Sequence, residues 1–362
     1  VLASFGGIFT IAALLDLWAW WNPRIDATHF ARTADGWDIA IHELKPASSV
    51  DPASRPVILC HGILMSRHCW LPRQGVPSLA RKLQRKGYWL WVVELRGSGK
   101  SRPTKIGGKK WDYPFTDYAD FDLPAIVEKV RALTGASSVD WMGHSLGGMV
   151  GYSRLSRHGA GSIEKMVTLG SPLYVGRKYS ELFVPRFVPF LLRPLSSIYF
   201  GLFTLSAPFF MLSAPLPWVS PFINLRKMSR RAGLGIFTWG VQRTGMRLMS
   251  EFNGWFQADG PWLPHVAKSE GPFAAPRGGL LALHGRNDFL VPPRNVEGVS
   301  EWFPDARVEA ADDADDLGPQ RLRRDVDRDV RSARLLDVEN EQQGLGGAGG
   351  GAQRDLAEDH EL

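Results

Sequence analysis

Cysteine, lysine, histidine and the aromatic residues are each missing from places where other kinds of protein would need them. The 362-residue chain has only two cysteines, Cys60 and Cys69. A disulfide framework is therefore excluded, no thiolate metal cluster can be assembled, and the pair reads as two free thiols. Beyond Phe303 there is no lysine and no aromatic residue, and from Pro304 onward 8 arginines face 16 acidic residues among runs of glycine. A segment of that composition cannot bury a core, so 311–362 is expected to be a disordered acidic tail. No charged residue occurs between Pro194 and Leu225, and no histidine between Asp288 and His360. Internal repeats and nucleic-acid-binding motifs are also absent, which argues against nucleic acid as a partner.

What remains is a basic body rich in aromatic residues. The chain carries a formal net charge of +6 with 44% hydrophobic residues, and the part up to Phe303 holds 35 basic against 21 acidic residues. That is material for one large domain with an insertion, or for two domains. Residues 1–21 are nearly all apolar or small, interrupted by Asp16 and closed by Trp18, Trp20 and Trp21. Indoles at the end of an apolar stretch suit a membrane anchor or interfacial helix, and a helix packed on the body is the competing reading. On the first reading the protein is membrane-associated; on the second it is cytoplasmic.

From Thr28 the pattern becomes short strands and helices. Thr28 to Arg32 and Trp37 to Leu44 flank Asp35-Gly36 as a hairpin would. Pro56 to Cys60, Tyr88 to Val93, Val139 to Met142 and Met166 to Leu169 read as buried strands, with Leu280 to Leu283 and Ala306 to Ala310 resuming the series. Helices are expected over Val76 to Lys86, after a capping Asp122 with Ile126, Val127, Val130 and Leu133 as its buried stripe, and over Leu146 to His158. Alternation of this kind predicts an α/β architecture, a mostly parallel sheet covered by helices on both faces. Between Ser171 and Pro276 it stops. The charge-free stretch there is interrupted by Pro208, Pro215, Pro217 and Pro221, so an inserted apolar cap is expected rather than a membrane span. The resulting division is an N-terminal segment 1–26, core 27–172, cap 173–275, core 276–310 and tail 311–362.

The chemistry gathers around Gly143-His144-Ser145-Leu146-Gly147. The bare G-x-S-x-G spacing is weak, but here it follows a strand and opens a helix. A serine on so sharp a turn projects its hydroxyl from the sheet edge, and side chains on the flanking glycines would collide with neighbouring backbone. The helix N-terminus favours a developing anion. A tetrahedral intermediate needs two main-chain donors; Leu146 follows the nucleophile, and Ile63 lies in His61-Gly62-Ile63-Leu64 after an earlier strand. Asp288, in Gly285-Arg286-Asn287-Asp288, lies just past a late strand, where a carboxylate can orient a histidine. Gly99-Lys100-Ser101 imitates the end of a phosphate-binding loop, but Glu94 stands where that loop requires a glycine. The basic run Lys105 to Lys110 reads as a solvated loop.

These motifs, with Asp35-Gly36, the run Glu94-Leu95-Arg96-Gly97-Ser98-Gly99, Tyr118 and Asp122-Leu123-Pro124-Ala125, resemble the α/β-hydrolase superfamily. Within it the chain is similar to the acid/gastric-lipase-like and related bacterial lipase-type branch. The resemblance covers about Thr28 to Ala310. It implies Ser145 as nucleophile, Asp288 as acid, Ile63 and Leu146 as oxyanion donors, Arg96 and Gly97 as shapers of a turn below the site, and no metal or organic cofactor. It also implies a catalytic histidine after the last strand. That register holds Asp313-Ala314-Asp315, and the only histidine beyond Asp288 is His360. Three explanations stay open: a tail that brings His360 back to Ser145, a fold kept for binding after losing its base, or a changed reading frame or truncated sequence beyond about Ala310. The expected activity is hydrolysis of carboxylic esters of apolar, lipid-like acids through an acyl-enzyme. An acyltransferase on the same nucleophile and a non-catalytic lipid-binding protein are the alternatives. Oligomeric state is not legible.

Overall fold

The computed structural model describes residues 24–47, 55–71, 78–104, 112–176, 245–288 and 290–311. The chain divides into two compact units, Val1–Asp316 and Leu317–Leu362, and all described residues belong to the first. The apolar segment 1–23, the run Lys105 to Lys110, the stretch Pro194 to Leu225, and Asp313, Asp315 and His360 lie outside the described residues.

The two shortest-range signals translate directly into structure. Strands β1 (Ala27–Arg32) and β2 (Trp37–Leu44) pair antiparallel, joined by a turn in which Gly36 takes φ 92° and the Gly36 amide donates to the Thr33 carbonyl. The apolar runs form β3 (Val57–Cys60) and β4 (Leu90–Glu94, whose last residue is a glutamate), every residue of which is buried, as strands covered on both faces require. A two-residue strand, β5 (Arg102–Pro103), lies against β2. Strands β6 (Val139–His144), β7 (Ile163–Leu169), β10 (Leu280–Gly285) and β11 (Ala306–Ala311) complete a nine-stranded sheet of order β1-β2-β4-β3-β6-β7-β10-β11, with β5 beside β2. From β4 to β11 all pairs are parallel.

Helix α1 (Leu79–Arg85) starts later than the apolar pattern predicts, because the Ser78 side chain caps it by accepting from the Arg81 amide at 3.1 Å. Helix α2 (Leu123–Thr134) corrects two expectations. Asp122 makes no capping hydrogen bond; it is itself helical, at the end of a π-helical turn over Tyr118–Asp122, and its carboxylate is taken by Arg96. The buried stripe is Leu123, Ile126, Val127 and Val130, while Leu133 is 38% exposed. Leu123 supplies the earlier member of the i, i+3, i+4, i+7 row, which leaves Leu133 off the stripe in the last turn. Helix α3 covers Leu146–His158 as predicted, and short helices α5 (Pro293–Glu297) and α6 (Val299–Trp302) precede β11.

The range assigned to a cap is described only at its two ends. A short ladder of β8 (Tyr174–Val175) and β9 (Gly260–Pro261) ties the outgoing chain to the returning one. Helix α4 (Met246–Ala258) returns on the body through a ring cluster. Phe115 meets Trp255 and Trp262 edge-on, each at 5.2 Å, and those two indoles stack at 5.3 Å. Leu248, Trp262 and Leu263 are fully buried in the same core as the sheet. The returning end of the range 173–275 is thus part of the main core. No described helix is long and apolar enough to cross a membrane.

Candidate active site

Four parallel strands stop at one level. Cys60 pairs with Gly143, His144 with Leu169, and Leu169 with Leu283, so the residues that follow β3, β6, β7 and β10 emerge together at the carboxyl edge of the sheet. The chain runs from β3 outward to β4 and then crosses to β6 on the other side of β3. The crevice of this open sheet therefore opens between the ends of β3 and β6.

Ser145 occupies the turn between β6 and α3 with φ 49° and ψ −114°. A residue bearing a Cβ is strained in that conformation, by an amount on the order of 1–3 kcal/mol. Its amide donates to the Leu169 carbonyl at 2.9 Å, and its side chain makes no capping hydrogen bond. A role as an ordinary helix cap is thereby excluded. The turn closes only because its neighbours lack side chains. A Cβ on Gly143 would overlap the backbone of Gly147 and Gly148, and one on Gly147 would lie 2.6 Å from the Cys60 carbonyl oxygen. The Trp141 indole on β6 then donates to the Gly147 carbonyl at 3.0 Å, holding the first turn of α3 down on the sheet.

The loop after β3 faces this turn. The Met65 amide donates to the Gly62 carbonyl, enclosing Ile63 and Leu64 in a tight turn, and Leu64 takes φ 58°. Leu146 is the first residue of α3, a position whose N–H has no partner within its own helix. The Ile63 and Leu146 amides thus belong to the two chain segments that flank the crevice. His61 is fully engaged: Nδ1–H donates to the Gly62 carbonyl at 2.7 Å and Nε2 accepts from the Leu95 amide at 3.1 Å. Burial lowers its pKa. It shapes the loop and has no nitrogen left for a proton from Ser145. His144 packs against Gly62, where a Cβ would lie 2.8 Å from its Nδ1. Burial, with the neighbouring His61, pushes its pKa down to about 4, and burial pushes the Cys69 thiol up to about 12. Both are neutral near pH 7, and the Cys69 thiol and His144 Nδ1 lie within hydrogen-bonding distance at 3.7 Å. Cys60 and Cys69 are both free thiols.

Asp288 lies beyond β10, and its Oδ1 accepts from the Leu290 and Val291 amides, each at 2.9 Å. Its Oδ2 would stand 3.8 Å from a Cβ on Gly170, the residue after the Leu169 carbonyl that receives the Ser145 amide. Ser145 and Asp288 are therefore brought to either side of one short stretch, Leu169-Gly170. No described histidine hydrogen-bonds to Ser145 or Asp288; His284, four residues before Asp288, faces Glu297 at 3.9 Å instead. Strand β11 ends beside Gly285, where the Arg286 amide donates to the Ala311 carbonyl.

A buried charge cluster under the site is larger than the sequence alone suggests. Arg96, 1% exposed, donates through Nε and Nη2 to Asp122 Oδ1 at 2.8 and 2.6 Å, and through Nη1 to Asp35 at 2.7 Å and Asp117 at 2.8 Å. Burial opposes its charge, but the facing carboxylates outweigh burial and hold the guanidinium above its ordinary range. Burial raises Asp117 to about 6 against the pull of Arg96. The signal for this cluster was the run Glu94 to Ser101 together with Asp35 and Asp122. Its partners became visible only once β2, β4 and the turn before α2 met.

A protein-family profile for the alpha/beta hydrolase fold matches residues 55–318. Among curated proteins, the chain is 27% identical over 155 residues to gastric triacylglycerol lipase of Homo sapiens, covering 40% of this chain and 37% of that one. It is 28% identical over 123 residues to triacylglycerol lipase 2 of Arabidopsis thaliana, covering 33% and 29%. The chain spans less than half the length of the curated relatives it matches. An alpha/beta fold family hydrolase from Bacillus anthracis str. Sterne shares the fold with a TM-score of 0.52 at 15% identity, covering 84% of this chain and 100% of that one. The sheet order, the turn at Ser145 and these matches agree: the chain belongs to the alpha/beta hydrolase fold family.

Proposed function

We propose that the protein is a serine hydrolase that cleaves carboxylic esters of apolar acids through an acyl-enzyme. The observation that carries this reading is Ser145, held at φ 49° between β6 and α3 with its side chain unused for capping. Its Oγ attacks the ester carbonyl carbon, and the oxygen of the tetrahedral intermediate accepts hydrogen bonds from the Ile63 and Leu146 amides. Collapse of the intermediate expels the alcohol, which takes the proton lost by Ser145, and water then releases the acid. Asp288, with Oδ1 fixed by two amides and Oδ2 turned toward Gly170, orients the imidazole that carries this proton. The lipid-like substrate class is supported by the charge-free stretch Pro194 to Leu225 and by the lipases among the relatives. Contact with a membrane surface is supported by the apolar residues 1–21 with their closing tryptophans.

A second reading, a lipid-binding protein that kept the fold, is favoured by the lack of any described histidine at Ser145. Treating the full chain with a fluorophosphonate probe separates the two. Labelling that disappears in Ser145→Ala and weakens in Asp288→Asn, with hydrolysis of a medium-chain ester, supports the hydrolase. Absent labelling with retained binding of a fluorescent fatty acid supports the binding protein. Adding an alcohol or thiol acceptor to the labelled-acyl assay shows whether water or another nucleophile receives the acyl group, which distinguishes an acyltransferase.

A further inference from the structure

We propose that Glu94 and Arg67 are positioning residues that hold the Ile63 amide in place, a role that rests on the hydrolase reading above. The loop from Gly62 to Ser66 is clamped at both ends to consecutive residues, Glu94 at the end of β4 and Leu95 just after it. At the near end, His61 Nε2 accepts from the Leu95 amide at 3.1 Å. At the far end, Arg67 opens a 3₁₀ turn over Arg67–Cys69, and its Nη1 and its own amide both donate to Glu94 Oε1, at 3.0 and 3.3 Å. Glu94 is completely buried. Its other oxygen accepts from His42 Nε2 at 3.1 Å and from the Lys100 amide at 2.8 Å. A Cβ on Gly99 would overlap the carboxylate itself. Burial raises the Glu94 pKa, but the His42 hydrogen bond and the Arg67 charge prevail and hold it well below the usual carboxylate range.

A carboxylate secured by four donors is a fixed point, and a loop tied to it cannot drift. The strain of the loop shows that something must hold it. Leu64 bears a branched side chain at φ 58°, a conformation that persists only where surrounding contacts over-determine it. Between the two clamps there are five residues, and Ile63 is the second of them. Releasing the Arg67 end lets Leu64 relax and swings the Ile63 N–H, whereas the bulk of the fold stays anchored through β3 and His61. Glu94 and Arg67 touch neither substrate nor nucleophile; they act through the backbone of the loop.

The test uses the full chain with Arg67→Met, which keeps the stem and removes the charge, and Arg67→Lys, which returns a charge. Two readouts are taken: hydrogen–deuterium exchange of peptides covering 62–66, and the rate of Ser145 inactivation by a fluorophosphonate with kcat and KM for a short ester. In Arg67→Met, exchange across 62–66 is expected to quicken about tenfold while the β6 and β7 amides stay protected. Inactivation and kcat are expected to fall about tenfold or more with KM within about twofold, and Arg67→Lys to recover part of the loss. Unchanged exchange overturns the proposal, and so does faster exchange with undiminished Ser145 reactivity. If the wild-type serine does not react at all, the hydrolase reading fails separately. Exchange alone then decides the tether, faster exchange confined to 62–66 upholding it and unchanged exchange removing it. Should Arg67→Met fail to fold, Glu94→Gln, which conserves volume and one acceptor oxygen, carries the same comparison with the same expected direction.

Discussion

Gly147 in the first turn of α3 approaches the Cys60 carbonyl so closely that a methyl group there would lie 2.6 Å from the oxygen. That single approach couples the helix behind Ser145 to the strand that launches the Ile63 loop, because Cys60 is the last residue of β3. Neither neighbour is a flexible side chain that can turn away. Gly147→Ala is therefore expected to cost about 1–3 kcal/mol of stability, as overpacking against backbone does. It should also slow labelling of Ser145 by widening the gap between helix and loop. A denaturant midpoint together with the labelling rate checks both; a variant as stable and as reactive as the wild type would show that the contact yields freely.

Ser145 itself is a site where stability is given up. Its φ of 49° costs energy that glycine does not incur, and its hydroxyl contributes no capping bond in exchange. Ser145→Gly is expected to raise the unfolding free energy by about 1 kcal/mol while abolishing labelling and hydrolysis. Calorimetry on the purified variant measures the first effect. A destabilised Ser145→Gly protein would mean that the hydroxyl has a structural partner.

Arg96 faces Asp35, Asp117 and Asp122 from a position that is almost sealed from solvent. Its guanidinium also lies over the rings of Trp37, Tyr113 and Phe121, at 5.5, 5.9 and 5.7 Å. Arg96→Met leaves three carboxylates crowded together without their cation, and a loss of about 3–5 kcal/mol is expected. Arg96→Lys retains a charge but cannot form the two-nitrogen fork to Asp122, so it should recover only part. Urea unfolding of the two variants beside the wild type gives the comparison. Equal stability of all three would remove the cluster from any account of the fold.

His144 and His68 set a pH dependence of definite sign. Burial pushes each to about 4, with His61 adding to the effect at His144 and Arg67 at His68. In the unfolded chain both titrate near 6.5. Between those values the unfolded state binds more protons than the folded one, so the stability held by neutral imidazoles is fully present above about pH 6.5 and is lost as pH falls toward 4. Melting temperatures at pH 7 and pH 4.5 should fall less in His144→Asn than in the wild type. An identical drop would place the titration elsewhere.

Much of this was local enough to read without coordinates. Leu146 to His158 was recognisable as a helix because its start is fixed by the serine turn and its end by Gly159, both neighbours in sequence. The strands β3 and β4 announced themselves as unbroken apolar runs. Leu133 and Asp122 were misjudged because an apolar residue can extend a helical row in principle, and an aspartate before proline can cap in principle. Which face is covered, and which partner a carboxylate meets, depends on segments far along the chain. Leu64 gave no warning of its positive φ, since nothing about a leucine favours that conformation.

The order of residues alone determined the α/β class, the bend carrying Ser145, the loop carrying Ile63 and the segment carrying Asp288, because each is specified by a few adjacent residues whose backbone preferences are strong. Only the tertiary structure decided that Glu94 is a buried anchor rather than a fragment of a failed phosphate loop, that Arg96 gathers three aspartates, and that Asp288 stands across Leu169-Gly170 from Ser145. Those relationships are made by residues tens of positions apart that meet when parallel strands end at one level, and no local preference encodes a meeting of that kind.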